Sequence, residues 1–351
     1  MTGALNGLRV LDLSRILAGP FATQNLADLG ADVVKVEAPW GDDTRSWGPP
    51  FIGAEGHQSA AYFHSCNRGK RSISIDMKTE DGHTLLKKLI GQADIVVENM
   101  KVGTLTRIGL DPNILIRENP KLIICQITGF GQTGPRSMQP GYDVALQGMS
   151  GIMSVTGEVD GPPVKVGVAW IDVLTGFAAT SAILAALHHR DKTGEGQIID
   201  LSLFDVALMS MVNQAQNWIA SGDIPRPMGH AHPNIVPYQA FQAKDGWIII
   251  AVGSDPQFEK LCRALNMENN WKTNSERVSN RKEIAHIISE KTSEYNRIDL
   301  TELLQGIPTS PINKISEALN DPQSIARGVV TSWSNLPVLA SPLRFMSKRK
   351  K

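Results

Sequence analysis

Three short segments near the N-terminus restrict what this chain can fold into more than any other feature. "LRVLDLS" (8–14) is apolar and β-branched and ends in polar residues, the pattern of a buried strand. "PFATQNLADLG" (20–30) follows, with Pro20 suited to an early helical position and Gly30 to a C-terminal stop. "ADVVKVE" (31–37) reads as the next strand. Strand, helix and strand in so few residues make a βαβ unit. The rhythm continues through "RSISIDM" (71–77), a helix over "EDGHTLLKKLIGQ" (80–92), "ADIVVEN" (93–99) and "KLIICQITGFG" (121–131). The first 130 residues or so therefore predict an α/β fold, an open parallel sheet flanked by helices.

Beyond that point the texture changes. A glycine-rich junction at 129–167 leads into a long helical zone at about 172–222, interrupted by "KTGEGQIIDLSLFD". "GDIPRPMGHAHPNIVPYQAF" carries four prolines and reads as an ordered loop. "GWIIIAVG" (246–253) is a strand, "DPQFEKLCRALN" a helix, and 276–306 a charged amphipathic region. The expected organisation is a large domain over 1–200, a linker helix region at 201–224 and a small domain at 225–315, with 316–351 beyond it. A length of 351 residues suits two domains.

Composition removes several classes of function. Lys+Arg and Asp+Glu both number 35, so no net field favours nucleic acid or an anionic membrane. The basic end at 348–351 reads as a solvated tail. Cys66, Cys125 and Cys262 lie far apart without metal-like spacing, which argues against a disulfide framework or zinc site. Nowhere do 18 apolar residues run together, so no membrane span is expected. The first strand begins at once, with no basic presequence, which points to the cytoplasm, or to the mitochondrial matrix for a processed form.

Motifs for common chemistries fail in turn. Glu37 closes the second strand where a ribose-binding acid could stand, but the first turn, "SRILAGPFA", lacks the G-x-G-x-x-G that lets backbone approach a pyrophosphate. "KTGEGQ" lacks the ending of a phosphate-binding P-loop. The histidines at 188–189 and 230–232 have no helical i,i+4 spacing or carboxylate partner, so no metal site is assigned. There is no G-x-S-x-G. One carboxylate stands out: Asp172, at the mouth of the apolar stretch Val173–Leu187. It is either a helix cap, worth about 1 kcal/mol, or a reactive group kept in a dry place.

"ITGFGQTGP" (127–135), "GYDVALQGMSGIMSVTG" (141–157), "PPVKVGVAWIDVLTG" (162–176), "AALHHRDKTGEGQIIDLSLFD" (185–205) and "HPNIVPYQAF" (232–241) stand in this order. Together with "DLSRILAGPFATQNLADLGADVVKVE", "NRGKRSISIDMK", "ADIVVENMKVGTLTRIGL" and "GIPTSPINKISEALNDPQ" they strongly resemble the class III coenzyme A transferases, a family that includes the α-methylacyl-CoA racemases. The resemblance implies a large Rossmann-like domain, a smaller α/β domain, a segment at 316–351 that returns to the large domain, and two interlocked subunits. It implies that Asp172 is the nucleophile, forming acyl-anhydride and CoA-thioester intermediates. A CoA thioester and a free carboxylic acid, most like the dicarboxylates of the succinyl-CoA:glutarate enzymes, are then the substrates, with no permanently bound cofactor. Tyr142 stands where the racemases carry a histidine; a phenol is a poor proton shuttle near neutral pH, so transfer is favoured over racemisation.

A glycine loop of the small domain stabilises the oxyanion in such enzymes, and an N–H near Gly229 is the candidate here, with His230 beside it as a substrate contact. Leu17 and Ala18 would lie near the pantetheine arm. Arg45, Lys70, Arg71, Asn99 and Arg107 are candidates for the nucleotide and diphosphate. Arg15 is a candidate for the distal carboxylate of a dicarboxylic acid. The chain departs from the family after "SPLRFMS" (341–347), where others continue with a further tail, so a truncated or alternatively ended form is also an expectation.

Overall fold

The computed structural model describes residues 3–345; the basic end at 348–351 lies outside them. The chain divides into two units. The larger takes residues up to Met153, Lys165–Asp223 and the segment from Ile325 onward, and the smaller takes Ser154–Val164 and Ile224–Ser324. The glycine-rich junction is thus not wholly part of the first domain. Its segment 154–164 belongs to the smaller unit, where the Gly229 N–H donates to Gly157 O at 2.9 Å.

The larger unit is built on six parallel strands: β1 (Arg9–Asp12), β2 (Asp32–Glu37), β3 (Arg71–Ser74), β4 (Ile95–Glu98), β5 (Ile123–Thr128) and β6 (Ile198–Ser202). Their spatial order, β3-β2-β1-β4-β5-β6, is that of a doubly wound sheet. Both faces are covered, which is why the strands read as continuous apolar runs. Val10, Ile95, Val97, Ile123 and Cys125 face a core shared with Ala22, Leu26, Ala179 and Ile183. Their neighbours Leu11, Val96 and Ile124 point the other way, onto Leu86, Ile90 and Leu115. The helices concerned are α1 (Ala18–Asp28), α2 (Glu80–Gln92) and, after the short α3 (Asp143–Met149), α4 (Trp170–Thr193).

One sequence expectation changes here. "KTGEGQIIDLSLFD" is more than an interruption between helices, because Ile198–Ser202 pairs along β5 as the sixth strand. α4, with 24 residues, is by length and composition apolar enough to cross a membrane, a test that the core helix of a soluble protein also passes. Its packing against α1 accounts for that composition. Gly176 lets the two helices meet: a Cβ there would stand 2.8 Å from the Phe21 ring and 3.0 Å from Ala18 O.

The smaller unit has a three-stranded antiparallel sheet, β7 (Tyr238–Ala243), β8 (Gly246–Ala251) and β9 (Thr309–Pro311), in the order β9-β8-β7. "YQAF" therefore opens a strand rather than closing a loop. Phe241, Ile248 and Ile250 pack with Phe258 and Leu261 of α5 (Asp255–Ala264) and Ile284 and Ile288 of α6 (Arg281–Thr292).

Candidate active site

Sheet order itself points to a crevice. β1 and β4 are neighbours while the chain winds outward from them in opposite directions, and ligands of open α/β sheets bind beyond the carboxyl ends of strands at such a switch point. Two loops meet there. Arg15 N–H donates to Asn99 Oδ1 at 2.8 Å, and Asn99 Nδ2 donates back to Arg15 O at 2.7 Å. Ile16, the next residue, has φ 70°, a left-handed backbone that β-branched residues avoid. Such strain costs roughly 1–3 kcal/mol and persists only where the surroundings enforce it.

The enforcement comes from beneath the turn. Ile16 N–H donates to Asp42 Oδ2 at 3.3 Å, while Lys35 Nζ donates to Ser14 O at 2.8 Å and lies 2.9 Å from Asp42 Oδ2. Deeper still, Asp12 accepts from the Ser14 N–H and hydroxyl on one oxygen. Its other oxygen accepts from the Thr23 hydroxyl at 2.7 Å and from Lys70 Nζ at 3.0 Å. Burial pushes the Asp12 carboxyl upward, but Lys70, Lys35 and the two hydroxyls outweigh it and hold the group at about 2.

The second half of the site is the N-terminus of α4. Gly129 and Gly141 touch, since a Cβ on Gly129 would stand 2.7 Å from Gly141 Cα. That contact closes the loop between them and brings the next two residues, Tyr142 and Asp143, to α4. Ala169 occupies the N-cap position of α4 with no side-chain cap, and Asp172 is the third helical residue. Asp172 is therefore not the cap. Asp143 takes that role from outside, its Oδ2 accepting from Ile171 N–H at 2.8 Å and Asp172 N–H at 3.2 Å; its Oδ1 accepts from Gln147 Nε2 at 2.5 Å.

Asp172 is left to face a cavity of about 190 Å³, together with Arg15, Leu17, Ala18, Asn99 and Tyr142. No cation is paired with Asp172 among the described residues. Burial pushes its carboxyl up, the Asp143 charge adds to that, and the group reaches about 7. A carboxylate so weakly solvated, and still ionised in good part at neutral pH, is suited to attack an acyl carbon.

The other sequence candidates are placed elsewhere. Lys70 is buried on Asp12, Pro20 O and Asn67 and supports the turn. Arg45 spends its fork on Glu37, with both bonds at 2.6 Å, and lies over the Phe63 ring. Arg71 grips Asp32 at the exposed sheet edge. Arg107 is exposed and, among the described residues, bonds its own turn at Gly103 O and Thr104. Asn99 lines the cavity, but its amide is committed to the Arg15 backbone. Gly229 and His230 belong to the smaller unit. The Gly229 N–H is taken by Gly157 O, which removes it as an oxyanion donor in this arrangement, and His230 Nδ1 accepts from Ala240 N–H at 3.3 Å.

Three site residues escaped the sequence reading. Asp143 carries no local sign of its role, because its partner amides lie 28 and 29 residues away. Lys101 lines the cavity and forms no ion pair among the described residues. The Tyr62 phenol is pushed up to about 12, first by burial and then by the charge of Asp172, which sets it in the same electrostatic neighbourhood. Among the described residues, no three His, Cys, Asp or Glu side chains are placed to share a metal ion.

The switch-point cavity of a doubly wound sheet, lined by a carboxylate that no cation pairs among the described residues, is the candidate active site. The profile of CoA-transferase family III matches residues 5–350, and the chain belongs to that family and is an enzyme of that class. A succinate–glutarate CoA-transferase of Agrobacterium fabrum is 50% identical over 335 residues, covering 93% of this chain and 84% of the relative. The human succinyl-CoA:glutarate CoA-transferase is 42% identical, with 93% and 75% covered. A succinyl-CoA:mesaconate CoA-transferase of Haloarcula hispanica is 39% identical, with 94% and 85% covered. Among solved structures, a CaiB/BaiF family protein from Brucella suis superposes with a TM-score of 0.89 at 50% identity, covering 98% of this chain and 93% of that one.

Proposed function

We propose that this enzyme exchanges CoA between an acyl-CoA, with succinyl-CoA as the donor, and a free dicarboxylic acid, with Asp172 as nucleophile. The observation that carries this reading is the state of Asp172: half-buried, paired with no cation among the described residues, held up to about 7, and facing the same cavity as Arg15. The ionised Asp172 attacks the thioester carbonyl, forming an acyl–aspartyl anhydride and releasing CoA thiolate. The thiolate returns to the aspartyl carbonyl, giving an aspartyl–CoA thioester and freeing the first acid. The incoming carboxylate then runs the two steps in reverse. Splitting the exchange this way lowers each barrier, and a weakly hydrated setting protects the anhydride from water.

The names of the similar enzymes support a dicarboxylic acid as acceptor, and Arg15 supplies a cation for its far carboxylate. Leu17 and Ala18 would flank the pantetheine arm. Lys101 and Arg107, exposed and without carboxylate partners, suit the CoA phosphates better than Arg45, Lys70 or Arg71. The family resemblance also supports an interlocked homodimer.

Intact-protein mass after mixing with succinyl-CoA and trapping with hydroxylamine tests the covalent step. An adduct mapped to Asp172 and absent from Asp172→Ala is expected, with transfer falling about 10⁴-fold or more in the variant. A folded wild-type protein that binds acyl-CoA but gives no adduct would sink the reading.

A further inference from the structure

We infer that Asp43 is a built-in stand-in for the second carboxylate of the acid substrate, an internal competitor at Arg15 that eases release of each acid product. The inference rests on the dicarboxylate-transferase reading above. It starts from a contrast within one side chain. The Arg15 backbone is fixed by two bonds from Asn99 and by the strained Ile16 beside it. Its guanidinium makes a single long contact, Nη1 to Asp43 Oδ2 at 3.4 Å, with the two side chains 56% and 45% exposed.

Other arginines of this unit are used differently. Arg45 closes its fork on Glu37 and Arg71 on Asp32, each through two nitrogens, and Arg68 does the same with Asp28. Arg15 alone of these four lines the cavity of Asp172, and it keeps most of its donors unspent. Asp43 does not line that cavity. Arg15 is thus a cation with the reacting centre on one side and a weakly held carboxylate on the other.

Asp43 is also mounted on a firm base. It opens the short 3₁₀ turn Asp43–Ser46, whose cap, Asp42, is buried on Lys35, the Thr44 N–H and hydroxyl, and Ile16 N–H. Both ends of the Arg15–Asp43 pair therefore grow from one rigid network, which holds them near each other but short of good hydrogen-bond geometry. An exposed single contact of this kind is weak, whereas a substrate carboxylate meeting the open fork from the cavity can form two charge-assisted bonds. A dicarboxylate displaces Asp43 and a monocarboxylate has nothing to displace it with. When the acid product leaves, Asp43 takes its place, so Arg15 never returns to an unpaired state. In an enzyme that must release one acid for every acid it accepts, that competition keeps the hold on the distal carboxylate moderate.

Calorimetric binding of glutarate, with butyrate as the reference ligand, tests this directly at low ionic strength. Asp43→Asn is expected to bind glutarate about two- to fivefold more tightly than wild type, and Arg15→Gln about tenfold or more weakly. Asp43→Glu, which keeps the competitor, should stay within about twofold, and the gain in Asp43→Asn should shrink as salt is raised. Equal glutarate affinity in Asp43→Asn and wild type overturns the inference, as does an equal gain for butyrate, which would mark a general charge effect. Binding needs no turnover. A failed hydroxylamine adduct alongside the expected glutarate pattern would therefore remove the transferase reading and leave the Arg15–Asp43 competition standing.

Discussion

Asp12 and Asp172 lie in the same unit, one at the carboxyl end of β1 and the other at the amino end of α4. Asp12 is fully buried and Asp172 half-buried, yet Asp12 is held at about 2 and Asp172 is raised to about 7. Burial opposes the charge of both. The difference lies in company: Asp12 has two lysines and four donors, while Asp172 has another carboxylate beside it and no cation. One is locked as a permanent anion that shapes a strained turn. The other is left reactive at the cavity that turn helps to form. Burial thus acts in the same direction in both places, and the partners decide whether it becomes scaffold or reagent.

The largest effect should come from making Asp12 resemble Asp172. Lys70→Met removes the near cation and also abandons Pro20 O and the Asn67 carbonyl oxygen. An uncompensated buried charge costs on the order of 3–5 kcal/mol, so a loss of that size is expected in urea denaturation. The sign with pH follows from the low Asp12 value. Its folded pKa lies below 3.8, so its contribution is present above about pH 4 and disappears as pH falls through about 2. In Lys70→Met that loss should begin at higher pH. A variant as stable as wild type, with an unchanged acid limb, would show that the network is decorative.

Asp172→Asn tests the other side, and the sign reverses. A folded pKa of about 7 against an ordinary 3.8 means that the folded state retains the proton longer than the unfolded one. Wild-type stability is therefore lost progressively between about pH 4 and pH 7. The neutral variant should exceed wild type by roughly 1–3 kcal/mol at pH 8 and match it at pH 4, measured as denaturation midpoints at both pH values. Parallel curves at all pH values would mean that Asp172 is an ordinary, hydrated carboxylate.

The comparison also explains what could be read from the chain in advance. The βαβ rhythm, the helix at 80–92 and the exceptional position of Asp172 follow from local pattern, because strand and helix periodicity are written residue by residue. β6 was missed because five residues of mixed polarity become a strand only by pairing with β5. The ion pairs of Lys70 and Arg45 are hidden for the same reason. A basic residue in sequence carries no mark of its partner, and Asp12 lies 58 positions from Lys70. Asp172 looked like a cap because a carboxylate at a helix start usually is one, and the true cap, Asp143, comes from a different helix.

Asp143→Asn gives the smallest and most discriminating test, since it pushes Asp172 toward the state of Asp12 without touching it. Burial is the leading cause of the raised Asp172 value and Asp143 the second. Removing the Asp143 charge should therefore lower the pH midpoint of adduct formation by roughly one unit, about 1.4 kcal/mol, and leave it above the ordinary carboxylate range. An asparagine can still accept from the Ile171 and Asp172 amides through its one oxygen. Its amide nitrogen then meets Gln147 Nε2, and Gln147 cannot turn over freely because its Oε1 accepts from Val166 N–H at 2.8 Å. A further loss of about 1 kcal/mol in stability is expected from that mismatch. Asp143→Glu keeps the charge and should leave the pH midpoint nearly in place even if its longer reach loosens the cap. A midpoint that drops to the ordinary range in Asp143→Asn would assign the whole shift to charge, and the dryness of the Asp172 pocket would no longer be needed to account for its reactivity.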